Sequence, residues 1–151
     1  MEINFIRATI EDVETLINVQ NESFYSDYIK YGECPGYSRS KESMASSILN
    51  RFTYKIICDG KIVGDIIARD NGDNTYFLGS LCIIPSYENK GIGQEAIRFI
   101  ESKFPSATKW NLETPVDKKR NHYFYKKVGY RIIKEYMDGN VKIALFEKKI
   151  K

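Results

Sequence analysis

With 151 residues, 42% of them hydrophobic and 28% charged, the chain has the length and composition of a single folded domain, 1–151, and excludes a disordered protein. No apolar run is long enough to span a bilayer, and the acidic N-terminus lacks the zones of a secretory signal, so a cytoplasmic protein with no membrane partner is expected. A net charge of +3, three widely spaced cysteines and one histidine give no footprint for nucleic acid, no disulfide framework and no metal site.

In chain order, "INFIRA" alternates as a strand, and Thr9 with Asp12 offers a capping box for a helix through "EDVETLINVQNESF". A loop, "YGECPGYSRS", follows, and Ser40 is placed to cap a second helix, "KESMASSILNRF". Three β-branched runs between Thr53 and Ile84, broken at Asp59-Gly60 and at "DNGDN", read as an antiparallel meander. From Gly91 the period becomes helical, with Ile92, Ala96, Ile97, Ile100 and Phe104 on one face and Pro105 as the stop. "TKWNLE" is then a strand reached by a right-handed crossover, which makes it parallel to the preceding one. "NHYFYKKVG" is a short helix ended by Gly129, and "YRIIKEYMDGNVKIALFEKK" a hairpin turned at Asp138-Gly139-Asn140. The predicted order is βααβββαβαββ, a mixed α/β architecture.

Between the third run and the third helix lies "PSYENKGIGQEA". A glycine-rich turn into a helix presents free N–H groups and the positive end of the helix dipole, which suits a pyrophosphate. Gly91-Ile92-Gly93-Gln94-Glu95-Ala96 also fits the dinucleotide pattern G-x-G-x-x-G/A, with Glu113 falling 20 residues beyond Gly93. In that motif, however, the first glycine directly follows its strand and opens a series of parallel strands; here "PSYENK" intervenes and an antiparallel meander comes first. A Walker A loop is absent, because no Gly-Lys-Ser/Thr occurs.

"LCIIPSYENKGIGQEAIRFIES", followed about 30 residues later by "NHYFYKKVGYRII", resembles the GNAT family of acyl-CoA-dependent N-acyltransferases. Two features carry the likeness: the loop Glu88-Asn89-Lys90-Gly91-Ile92-Gly93, and Tyr125 four residues before Gly129-Tyr130. The resemblance implies a mostly antiparallel seven-stranded sheet with a central parallel pair, flanked by about four helices. It also implies acetyl-CoA as co-substrate and transfer to an amine. Glu88 departs from the family's Gln or Arg; an acid facing a pyrophosphate is repelled, so Glu88 is expected to turn outward or to offer only its backbone N–H.

On the same resemblance, backbone groups of Leu81, Cys82 and Ile83 would hold pantetheine, and residues Glu88 to Gln94 the pyrophosphate. Asn121, one helical turn before Tyr125, would contact cofactor unless it caps its helix. Tyr125 is the candidate general acid for the departing thiolate and Glu113 the candidate base, a solvated strand-end acid being its alternative. His122 is expected at the surface, and Cys34 to be an inert thiol. Tyr25, Tyr28, Tyr31 and Glu33 are candidate contacts for a small amine acceptor, although the spacing of Phe24, Tyr28 and Tyr31 is also that of packed helix residues. The sequence leaves open a non-catalytic CoA-binding module, and a homodimer as one option for assembly. "DKKRNHYFYKK" interleaves bases with aromatics as single-strand binders do, but reads equally as a solvated helix face, and no nucleic-acid partner is expected.

Overall fold

The computed structural model describes residues 1–150. Strand β1 (Ile3–Arg7) leads through a 3-10 turn (Ile10–Asp12) into helix α1 (Val13–Tyr31). The Thr9–Asp12 capping box forms on that turn: the Thr9 N–H donates to Asp12 Oδ2 at 2.8 Å. Helix α1 outruns its predicted end at Phe24 by two turns and stops at Gly32, whose φ of 74° only glycine takes cheaply. Tyr25, Tyr28 and Tyr31 are therefore helical.

Ser40 caps α2 (Lys41–Asn50) as expected, accepting from the Ser43 N–H at 3.0 Å. The meander is β2 (Phe52–Cys58), β3 (Lys61–Gly72) and β4 (Thr75–Ile83). Its two hairpins turn on Asp59-Gly60 and Asp73-Asn74, all four residues at positive φ. A second 3-10 turn (Pro85–Tyr87) precedes α3 (Ile92–Ser102); β5 (Lys109–Pro115), α4 (Lys119–Lys127), β6 (Arg131–Asp138) and β7 (Val141–Lys149) complete the chain.

The strands form one sheet in the order β1-β2-β3-β4-β5-β7-β6, in which β4–β5 is the parallel pair and every other pairing is antiparallel. Helix α3 buries Ile92, Ala96, Ile97 and Ile100 in the main core, each isoleucine stabilising the fold by about 1.5–3 kcal/mol. Trp110, fully buried, anchors an aromatic cluster there with Tyr76 and Phe104. On the opposite face, Leu16 of α1 and Met44 and Ile48 of α2 make a smaller core. Among the described residues, no helix is long and apolar enough to cross a membrane and no group of side chains could hold a metal ion.

Candidate active site

The parallel seam between β4 and β5 is short. Thr75–Leu78 pair with Lys109–Leu112, after which β4 keeps only β3 as a neighbour and β5 only β7. The strands part at Gly79, which the β3 register skips: Ala68 faces Leu78 and Ile67 faces Ser80, so Gly79 is the extra residue of a β-bulge. Past the bulge, the side of β4 that faced β5 presents unpaired backbone.

One mouth of this wedge is the glycine loop. Gly91 caps α3 at a φ of 81°, and the first helical hydrogen bond runs from Glu95 N–H to the Gly91 carbonyl at 3.2 Å. The N–H groups of Ile92, Gly93 and Gln94 consequently have no acceptor among the described residues, although the Ile92 side chain lies in the core. A Cβ on Gly93 would stand 3.1 Å from Phe124 Cζ, so any side chain there presses on α4.

Glu88 satisfies neither half of its expectation. Its backbone N–H already donates to the Pro85 carbonyl at 3.2 Å, closing the 3-10 turn. Its carboxylate is not turned idly outward; it pairs with the Arg120 guanidinium at 2.7 Å, and the same Nη2 donates to Asn89 Oδ1 at 2.8 Å. The loop's acid is thus neutralised by α4, and Lys90 adds an exposed cation. Free N–H groups, left-handed glycine, cancelled acid and open β4 edge together fit a pyrophosphate joined to an amide-bearing arm.

The other mouth opens into a cavity of about 970 Å³ beneath α1 and α2, within the range of small-molecule sites. Leu81, Glu113, Asn121 and Tyr125 line it, as do Tyr31 and Glu33. Tyr125 is half-buried against Phe124, Tyr130 and Phe146, and its hydroxyl makes no hydrogen bond among the described residues. Burial pushes this phenol up to about 12. Asn121 does not cap α4; its Nδ2 donates to Thr114 Oγ1 at 3.1 Å and ties the helix to β5. Glu113 is exposed at the end of β5 and accepts from the Tyr136 hydroxyl, which that carboxylate and burial raise to about 12.

Tyr25 and Tyr28 lie outside the cavity, packed on Tyr37, with Tyr28 stacked at 4.4 Å between ring centroids. The Tyr31 hydroxyl donates to Asp117 at 2.6 Å, and Lys118 grips both oxygens of Asp27 at 2.8 Å; these contacts strap the start of α4 to the end of α1 across the wedge. His122 is half-buried, its Nε2 3.0 Å from the Pro115 carbonyl and its ring edge-on to Phe146, so it is not a free surface imidazole.

Sequence reading passed over the floor of the cavity. Asp65 of β3 is fully buried; it accepts from Gln20 Nε2 at 2.8 Å, Ser80 Oγ at 3.3 Å and Cys82 Sγ at 3.4 Å. Desolvation drives its carboxyl up to about 6 against those hydrogen bonds and the charge of Arg39. An acid set between "IVG" and "IIA", residues that are all apolar or glycine, was the available signal. Cys82 therefore turns its thiol into this network and leaves only its backbone for a ligand.

The family model for the acetyltransferase (GNAT) family matches residues 13–130, most of the chain. The chain belongs to this family. Acetyl-CoA is its co-substrate. The PaiA N-acetyltransferase of Thermoplasma acidophilum, solved in complex with coenzyme A, is 25% identical and superposes with a TM-score of 0.84 over 99% of both chains. The ribosomal-protein-S18-alanine N-acetyltransferase of Escherichia coli has a TM-score of 0.80 over 99% of this chain and 95% of its own, but at 12% identity it shares the fold alone. YrkN of Bacillus subtilis (strain 168) is 36% identical over 85 residues, which make up 55% of this chain and 46% of that protein; the chain thus matches less than half of that relative's length.

Proposed function

We propose that this GNAT acetyltransferase, a single domain working in the cytoplasm, transfers the acetyl group to a primary amine of a small acceptor by direct attack on the thioester. The observation that carries this reading is the Tyr125 hydroxyl, unpartnered and facing the cavity beside the point where β4 and β5 separate. Backbone groups of Leu81, Cys82 and Ile83 hold the pantetheine arm along the open β4 edge, and within the loop from Glu88 to Gln94 the free N–H groups of Ile92, Gly93 and Gln94 receive the pyrophosphate, with Arg120 and Lys90 beside them. Asn121 fixes α4 to β5 and so sets the position of Tyr125.

Tyr125 donates a proton to the departing sulfur. A phenol near 12 is a weaker acid than an exposed one, but the desolvation that raises it also raises a thiol held beside it, as it does for Cys82, so the two remain comparable. Glu113 takes the amine's proton, directly or through water, and its bond from Tyr136 fixes the carboxylate's direction. The non-catalytic alternative rested on Glu88, whose charge Arg120 cancels. Binding of single-stranded nucleic acid by α4 is disfavoured because Lys118 and Arg120 are in ion pairs and only Tyr123, 73% exposed, points an aromatic ring outward.

The test is release of CoA thiol from acetyl-CoA with a panel of primary amines. Amine-dependent release is expected; tight acetyl-CoA binding with no release for any amine would leave only the CoA-binding module.

A further inference from the structure

We propose that the acceptor amine carries an anionic group, a carboxylate or a phosphate, which Arg39 and Arg51 hold at the α2 end of the cavity; this rests on the acetyl-transfer reading above. Both arginines line the cavity, and neither forms an ion pair among the described residues. Arg39 is half-buried and oriented by serines: Nε donates to Ser43 Oγ at 3.1 Å, and Nη2 to Ser43 Oγ at 3.0 Å, the Ser43 carbonyl at 2.9 Å and Ser47 Oγ at 2.6 Å. Its Nη1 is left without an acceptor. Arg51 makes no side-chain hydrogen bond among the described residues, and its Nη1 lies 3.7 Å from where a Cβ on Gly79 would stand, over the bulge.

Burial disfavours the charged form of Arg39, the pull of buried Asp65 opposes that, and the positive charge of Arg51 adds to it, so an anion held between the two arginines is favoured. Asp65 reaches this end electrostatically, but its oxygens are already taken by Gln20, Ser80 and Cys82. The Arg51 guanidinium and Arg39 Nη1 supply the free N–H donors, and a planar guanidinium is the usual receptor for a carboxylate or phosphate.

The rest of the cavity has the opposite sign. Glu33 and Asp138 line the far end, while Asp27, which also lines it, is cancelled by Lys118. Between the two ends, Gln20, 1% exposed, lines the cavity with an Oε1 that has no hydrogen-bond partner, ready to accept from an N–H or O–H of a ligand. The polarity therefore fits a small zwitterion. Its length is set by the strand: Gly79, under Arg51, precedes Leu81, at the reacting end, by two residues, a span of about 7 Å. An anion a few methylenes from the amine fits, and a long polyamine has two arginines in its way. In the transfer, the amine nitrogen bonds to the acetyl carbonyl carbon and the carbon–sulfur bond breaks; the nitrogen loses one proton and the sulfur gains one, giving an amide and CoA thiol.

The experiment is calorimetric titration of the protein–CoA complex with 4-aminobutanoate, its carboxamide, 2-aminoethyl phosphate and 1,4-diaminobutane, with thiol release from acetyl-CoA read for the same amines. The wild type is expected to bind an anionic amine about ten- to a hundredfold more tightly than the carboxamide; whichever of carboxylate and phosphate binds better identifies the anion. Arg51→Gln and Arg39→Gln should bring that ratio to within about threefold of unity, whereas Arg51→Lys should keep part of it. Unchanged CoA affinity at the distant glycine loop verifies that each variant is folded. Equal affinity for carboxylate and carboxamide, or tighter binding of the diamine, overturns the proposal. Preference for the anion without thiol release leaves the anion site standing and refutes acetyl transfer instead.

Discussion

Asp65 sits beneath the cavity with no exposed surface, held by three donors yet with its carboxyl raised to about 6. An unfolded Asp titrates near 3.9, so the folded chain binds the extra proton between about pH 4 and pH 6. This group's contribution is therefore complete below about pH 4 and is lost as pH rises through 6, a difference of about 3 kcal/mol. Asp65→Asn keeps an acceptor for Gln20 and removes the charge. It is expected to flatten that stretch of the stability–pH curve and to leave the protein as stable as the wild type, or more so, at pH 8; denaturant melts across pH 4–8 measure both. Tyr125→Phe should lower kcat by about a hundredfold or more with CoA affinity within about threefold, and unchanged turnover removes the proton-donor assignment. Tyr125 was legible because its spacing to Gly129-Tyr130 is local in the chain. Gln20, Arg39, Arg51 and Asp65 were not, because their roles exist only once α1, α2, β3 and the β4 bulge are brought together.

At the level of elements, the approach of α3 to α4 rests on Gly93 and the shape of the loop on Gly91, and the two glycines should fail differently. Gly93→Val drives a side chain into Phe124, which adjoins Tyr125, so both CoA affinity and turnover should fall by tenfold or more. Gly91→Ala meets nothing within 4 Å and strains only the left-handed backbone, a cost of about 1–2 kcal/mol, so it should weaken CoA binding without displacing α4. Titration with CoA alongside single-turnover transfer separates the two. Helix and strand types were readable from period and turn residues, and the Asp59-Gly60 hairpin fell where its dipeptide put it. The end of α1 was not: "YSDYIKY" has no breaker before Gly32, and its aromatics suggested ligand contacts where the fold uses two of them to pack on Tyr37.

On the scale of the molecule, one sheet carries two leaves, β1 to β4 and β5 with β7 and β6, joined at a seam of four residue pairs. A ligand that touches β4, α3 and α4 together clamps the leaves. CoA at a hundred times its dissociation constant should raise stability by about 2.7 kcal/mol, or Tm by about 5 to 10 °C for a chain of this size. Thermal melts with and without CoA read it directly, and no shift would mean that the loop and the open β4 edge do not form one site. The parallel pairing of β4 with β5 was legible because strand, helix, strand makes a crossover of fixed hand; the parting of the leaves was not, because it depends on a bulge that no residue pattern at Gly79 announces.

That parting has a further consequence. Proteins usually guard the outermost strands of a sheet against adding a foreign strand, yet here an unsatisfied row of backbone groups lies in the middle, on β4 beyond Leu78. The strap from α1 to α4, Tyr31 to Asp117 and Lys118 to Asp27, bridges the opening beside that row. An inner edge of this kind invites strand addition wherever it stands open, so a ligand lying along β4 would also guard the sheet against aggregation.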